Sequence, residues 1–179
     1  MGTPIRVRSE RDDDRVAIAD VVRRAYADVE WSDHREHLMI DRLRQSEAFL
    51  PTLSLIADVD GEAVGHLLLT RAWIETGTTA TATLALAPLS VVPERQHCGI
   101  GSALVHEAHK RALGLGLQSV LCVGNATYYT RFGYQPLAAY PITLPIEAPT
   151  ENQMILPLVP GALHGVEGVV RYSDGWLVH

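Results

Sequence analysis

Six residues, Gln96-His97-Cys98-Gly99-Ile100-Gly101, stand where an apolar run gives way to a helical pattern, and their spacing is that of a loop that can hold an anion. Glycine at 99 and 101 lets a ligand approach the backbone closely. Amides from Gln96 to Ser102 would sit at a helix N-terminus, where unpaired N–H groups and the helix dipole favour negative charge. A phosphate group fits. Two other phosphate motifs fail on the same letters. A Walker loop needs Lys followed by Ser or Thr, whereas Gly101 is followed by Ser102 and Ala103. A dinucleotide fingerprint needs a small third residue, and that place holds Leu104. Cys98 beside His97 suggests a nucleophilic thiol, but neighbours on a loop rarely share the needed geometry and no orienting third group is identifiable.

The elements that must position this loop are legible around it. Leu84 to Val92 is apolar and long enough for a buried strand, and Pro93 stops its ladder. From Gly99 the spacing becomes helical, with Leu104, Ala108, Ala112 and Leu115 on one face and Gly114 and Gly116 as the stop. Ser119 to Val123 then returns as a parallel neighbour of the Leu84 strand across that helical crossover. Thr127 to Phe132 forms a short helix.

Upstream, Ile5 to Arg8 alternates as a strand, and Asp12, Asp13 and Asp14 open a helix that carries Ile18, Val21, Val22 and Ala25. Consecutive acids on a helix point in different directions, so the cluster reads as a cap and not as a metal site. His34 to Glu47 is a second helix with Leu38, Met39 and Leu43 inward, and Tyr26 to Asp33 is a loop. His34 and His37 lack a third ligand nearby, so no metal is expected. Asp60-Gly61 between Leu53–Val59 and Ala63–Leu69 is a hairpin signal, and the Thr-rich stretch around Gly77 suggests a second hairpin. Beyond Tyr134 six prolines predict edge strands and loops, with Met154 to Val159 and Gly168 to Tyr172 as strands.

A chain of 179 residues, 47% apolar, predicts one domain over 1–179. Its net charge of -6, with both signs interspersed, argues against a nucleic-acid footprint. Two cysteines, Cys98 and Cys122, form no disulfide framework. No signal-peptide stretch or membrane-length apolar run is present, so the expectation is a soluble cytoplasmic protein.

Gln96 to Gly101 resembles the Q/R-x-x-G-x-G/A signature of the GNAT superfamily of N-acetyltransferases. Pro88 to Pro93 is similar to that family's preceding strand, and Gly124 to Tyr134 to its second signature: Asn125 near a strand end, and Tyr129 four residues before Gly133-Tyr134. The likeness covers Leu53 to Tyr134, and the Tyr128-Tyr129 tandem resembles a bacterial subgroup of N-acetyltransferases. The resemblance implies an α/β fold: a mixed, mostly antiparallel sheet of about seven strands, with a splayed central parallel pair and about four helices. It implies acetyl-CoA as acyl donor, with Ser90, Val91 and Val92 along the pantetheine, Gln96, His97, Cys98, Gly99, Ile100, Gly101 and Ser102 under the diphosphate, and Asn125 orienting the arm or a turn. Tyr129 is then the general acid for the departing sulfur, with Tyr128 the alternative. Tyr26, Glu30, Trp31 and Glu75 stand as acceptor-side residues; Glu75, His66 or a water chain would be the base. The acceptor would be a primary amine of a small molecule or protein, attacking the thioester directly; a homodimer is left open. The competing reading is a non-catalytic acyl-CoA-binding or regulatory domain.

Overall fold

The computed structural model describes residues 2–176. Strand β1 (Arg6–Ser9) leads into helix α1 (Arg15–Tyr26) through a short turn at Asp12–Asp14, and α2 (Glu36–Arg44) follows. Asp14 accepts from the Arg11 amide at 2.7 Å and pairs with Arg8 at 2.6 Å, so the acids close a helix start as expected. Two long hairpins come next: β2 (Phe49–Val59), β3 (Glu62–Glu75) and β4 (Ala80–Val91). The first turns on Asp60 and Gly61, both with positive φ (56° and 79°).

Helix α3 (Ile100–Gly114) crosses back to β5 (Ser119–Val123), which pairs with β4 in parallel. A short helix, α4 (Ala126–Tyr129), precedes β6 (Gln135–Pro136), β7 (Ile142–Thr143), β8 (Gln153–Pro157) and β9 (Gly168–Arg171). The sheet order is β1-β2-β3-β4-β5-β8-β6, with β9 extending beside the far end of β3 and β7 beside β9. The described residues form nine strands against an expected seven or so; β6 and β7 are only two residues long and carry no periodic signal. β8 lies inside the sheet between β5 and β6, although its proline-rich surroundings predict an edge.

One face of the sheet packs Leu55, Leu67, Leu69 and Leu84 against Leu104, Val105 and Ala108 of α3. The other packs Ile56 and Leu68 against Ile18 and Val22 of α1 and Ile40 and Leu43 of α2. Two helix readings need correction. Leu115 is 49% exposed, because it ends α3 and does not continue its buried face. On α2, which is shorter than expected, Leu38 points outward and Ile40 takes the core position. Among the described residues no helix is long and apolar enough to cross a membrane.

Candidate active site

Strands β4 and β5 pair only at Leu84–Val120, Ala85–Leu121 and Leu86–Cys122. β4 runs on to Val91 without a neighbour on that side, so the sheet opens. The opening begins beside Pro88, which has no N–H to donate, and where the register against β3 slips between Leu86 and Leu89. Beyond it the main chain of Leu89 and Val91 faces the gap: Tyr26 Oη donates to Leu89 O at 3.4 Å and Gln96 Nε2 to Val91 O at 3.2 Å. Ser90 and Val92 turn the other way. Ser90 pairs with His66, and the Val92 amide donates to Val64 O at 3.0 Å. Of the three residues expected along the pantetheine, the alternation of the strand therefore presents only Val91, and it adds Leu89.

The loop after β4 opens onto the same gap. Pro93–Arg95 makes one tight turn, His97 and Gly99 adopt positive φ (61° and 84°), and α3 begins at Ile100. The first amide to close a helical bond is Ala103, on Gly99 O at 3.0 Å. The N–H groups of His97 through Ser102 donate to no group among the described residues. Six open donors thus stand at the head of a fifteen-residue helix, an arrangement whose N–H groups and dipole favour an anion. Gly101 is needed for a second reason: a Cβ there would run into the Tyr128 hydroxyl.

The opposite wall comes from α4. Asn125 caps it, its side chain accepting from the Thr127 and Tyr128 amides at 2.9 and 3.4 Å, so its side-chain oxygen is used by the turn. Tyr129 is 8% exposed and packs edge-on against Tyr128 and Tyr134. Burial, reinforced by the Cys122 thiol facing it, holds its phenol well above the usual tyrosine range, so it stays protonated. Burial likewise pushes Cys122 up to about 12. Arg131 lies over the Tyr128 ring at 5.1 Å and reaches Ser102 Oγ at 3.3 Å, which sets a fixed cation beside the cradle.

These parts line one cleft of about 640 Å3. Tyr26, Val91, Gln96, His97, Gly99, Ile100, Gly101, Ser102, Asn125 and Tyr129 all border it, and so does Trp31, 81% exposed and edge-on to Tyr26. Tyr128 borders it too, so both phenols meet the cleft. Four expected residues are not brought in besides Ser90 and Val92. Cys98 keeps its amide in the open row, but its side chain does not border the cleft: the thiol is exposed and bonds back to Gln96 O at 3.4 Å. Glu30 is exposed on the loop without bordering the cleft. Glu75 sits at the opposite end of β3, held by Arg171 at 2.7 Å. His66 is fully buried beneath the sheet and reaches the cleft through no direct contact. Two cations escaped the sequence reading, Arg95 and Arg131. Arg131 stands within the second signature, but nothing in its spacing shows that α4 folds it back onto α3. Among the described residues no three His, Cys, Asp or Glu side chains group as a metal site.

Residues 16–134 match the family model described as "Acetyltransferase (GNAT) family". The chain is 36% identical over 143 residues to the uncharacterized N-acetyltransferase YjhQ of Escherichia coli K12, covering 78% of this chain and 79% of that protein. It is 27% identical over 169 residues to the uncharacterized N-acetyltransferase YhbS of the same strain, covering 94% and 96%. Among solved structures, a GNAT family acetyltransferase from Brucella melitensis in complex with acetyl-CoA aligns with a TM-score of 0.79 at 28% identity, over 98% of this chain and 99% of that one. YhbS from Escherichia coli in complex with CoA aligns at 0.86 and 22% identity, over 98% and 93%. The opened parallel pair and the glycine cradle are thus set in a chain that belongs to the GNAT family of acetyltransferases.

Proposed function

We propose that this protein transfers the acetyl group of acetyl-CoA to a primary amine of a small molecule or protein, by direct attack of the amine on the thioester. The observation that carries the reading is that one cleft joins the free edge of β4, six open amides and a buried neutral phenol. The pantetheine would lie along Leu89 and Val91 as an added strand, and the diphosphate on the amides of His97 to Ser102, with Arg131 and Arg95 supplying positive charge. Amide and cleft together hold the thioester in one orientation for attack. Tyr129 would give its proton to the departing sulfur; burial holds the phenol in its protonated form, the state from which a general acid starts. The bound acetyl-CoA of the Brucella relative supports the same donor here. We read the chain as one cytoplasmic domain, since one sheet connects its packed faces and both thiols are free.

The test is thiol release from acetyl-CoA across a panel of amines, with acetyl-CoA binding followed by calorimetry. Tyr129→Phe is expected to lower turnover about a hundredfold and to leave acetyl-CoA affinity unchanged. Equal turnover in the variant would remove Tyr129 from the chemistry. Binding without turnover for any amine would favour a non-catalytic acyl-CoA-binding domain.

A further inference from the structure

Tyr128 and Tyr129 stand side by side on α4, and both border the cleft, yet the fold sends their rings to different places. Consecutive helical residues point about 100° apart. The Tyr129 ring lies against Gly124, just past β5, where a Cβ would stand 2.7 Å from its Cε2. The Tyr128 hydroxyl lies instead against Gly101 at the head of α3, at a point 4.0 Å from Val91 Cγ2 on β4. One phenol of the pair therefore reaches the row of open amides.

Three neighbours hold that ring in place. Tyr129 and Phe132 pack edge-on to it at 5.1 and 5.3 Å, and the Arg131 guanidinium lies over it at 5.1 Å. Its hydroxyl is bonded to no group among the described residues, whereas those of Tyr26, Tyr134 and Tyr140 are bonded to Leu89, His109 and Gln135. Burial holds the phenol above its usual range, with Arg131 opposing, so it keeps its proton and can donate. The amides of His97 to Ser102 are open beside it, and the Ser102 hydroxyl already accepts from Arg131 at 3.3 Å. A row of donors beside a cation lacks an acceptor, and an anion supplies one.

Given the acetyl-CoA reading above, on which this rests, we propose that the Tyr128 hydroxyl is a ligand of the donor's diphosphate, donating to a phosphate oxygen beside the amides of His97 to Ser102. Acetyl-CoA carries a diphosphate and a 3′-phosphate, and only the diphosphate adjoins the pantetheine arm. Tyr128 stands where the strand expected along that arm, at Val91, meets the head of α3. The two phenols then divide the work along one ligand. Tyr128 holds the donor at its diphosphate, and Tyr129 serves the sulfur at the other end of the arm. Tyr128 is a binding residue and takes no part in proton transfer.

The experiment is calorimetric titration of wild type and Tyr128→Phe with acetyl-CoA, 3′-dephospho-acetyl-CoA and acetyl-pantetheine, alongside thermal midpoints and the KM and kcat of thiol release. Phenylalanine keeps the ring and its neighbours, so the midpoint should hold. Affinity for both diphosphate-bearing thioesters should fall between about tenfold and a hundredfold, the range for a hydrogen bond to a charged group. Acetyl-pantetheine should be unaffected. In turnover the loss should appear in KM for acetyl-CoA and far less in kcat. A loss confined to acetyl-CoA would move the contact to the 3′-phosphate, and a loss shared by acetyl-pantetheine would move it to the arm; either overturns the assignment. Wild-type affinity for all three, with or without a fallen kcat, overturns it as well, and a fallen kcat alone would make Tyr128 the acid. Should the midpoint drop, the ratio of acetyl-CoA to acetyl-pantetheine affinity still decides, because general loosening lowers both alike and leaves the ratio unchanged. Binding is read directly, so the contact is tested even where no amine reacts. A wild-type protein that binds no acetyl-CoA overturns the donor reading, and the contact with it.

Discussion

The two ends of α3 are opposites. At its C-terminus the Leu117 amide donates to Ala112 O at 3.0 Å and the Gly116 amide to Leu113 O at 2.9 Å, closing the last carbonyls with Gly116 at φ 78°. At its N-terminus six amides in a row are left open, with Gly99 at φ 84°. Both ends use a left-handed glycine, one to finish the helix and the other to expose it. Equal local conformations thus have unequal meanings, and what separates them is whether the backbone groups beside the glycine are satisfied.

Acid should break the contrast most severely, because it attacks what both ends share, the packing of the helix on the sheet. His109 on α3 bonds Tyr134 Oη at 2.9 Å, and His66 lies under the opposite face. Burial lowers both to about 4; His106 adds to the effect for His109, and Glu10 partly opposes it for His66. The unfolded chain therefore binds more protons than the folded one between pH 6.5 and 4. Stability is full above pH 6.5 and falls as pH drops through 4, by about 3 kcal/mol for each histidine at roughly 1.4 kcal/mol per unit. Urea midpoints at pH 7, 5.5 and 4.5 check this; a flat profile would mean that neither ring is buried neutral.

Substitution at the open end comes next. Gly101→Val places a side chain over the cradle and displaces the Tyr128 hydroxyl, so acetyl-CoA affinity should fall about a hundredfold, about 2.7 kcal/mol. The thermal midpoint should move little. Gly116→Ala should do the reverse. Its Cβ would meet nothing within 4 Å, so the cost is backbone strain alone, about 1 kcal/mol, with acetyl-CoA affinity unchanged. If both variants lost stability and kept affinity, the two ends would be equivalent and the open amides would not be a site.

Much of this arrangement could be read from local pattern. The glycines at 99 and 101, the Asp60-Gly61 turn and the apolar β4 run each impose their geometry within a few residues, and the structure repeats them. Depth within the sheet was less legible. Which of Leu89, Ser90 and Val91 faces the opening depends on the slip at Pro88, and a one-residue shift reverses the assignment. Glu75 stands as an acceptor-side residue and candidate base in the sequence, yet β3 is long enough to carry it to the opposite end of the strand from the opening. Arg131 comes to the cradle through tertiary folding of α4 onto α3, which no spacing records. Leu38 and Ile40 differ by two positions on a short helix, and only packing against α1 decides which turns inward.

The proposed function stands on the open amides of α3 holding a diphosphate. Calorimetric titration with acetyl-CoA and with acetyl-pantetheine, which keeps the thioester and arm but lacks the diphosphate, addresses it directly. Acetyl-CoA is expected to bind, and acetyl-pantetheine to bind at least about a hundredfold more weakly, with the gap narrowed in Gly101→Val. Equal affinity for the two, or no binding of acetyl-CoA, would contradict it.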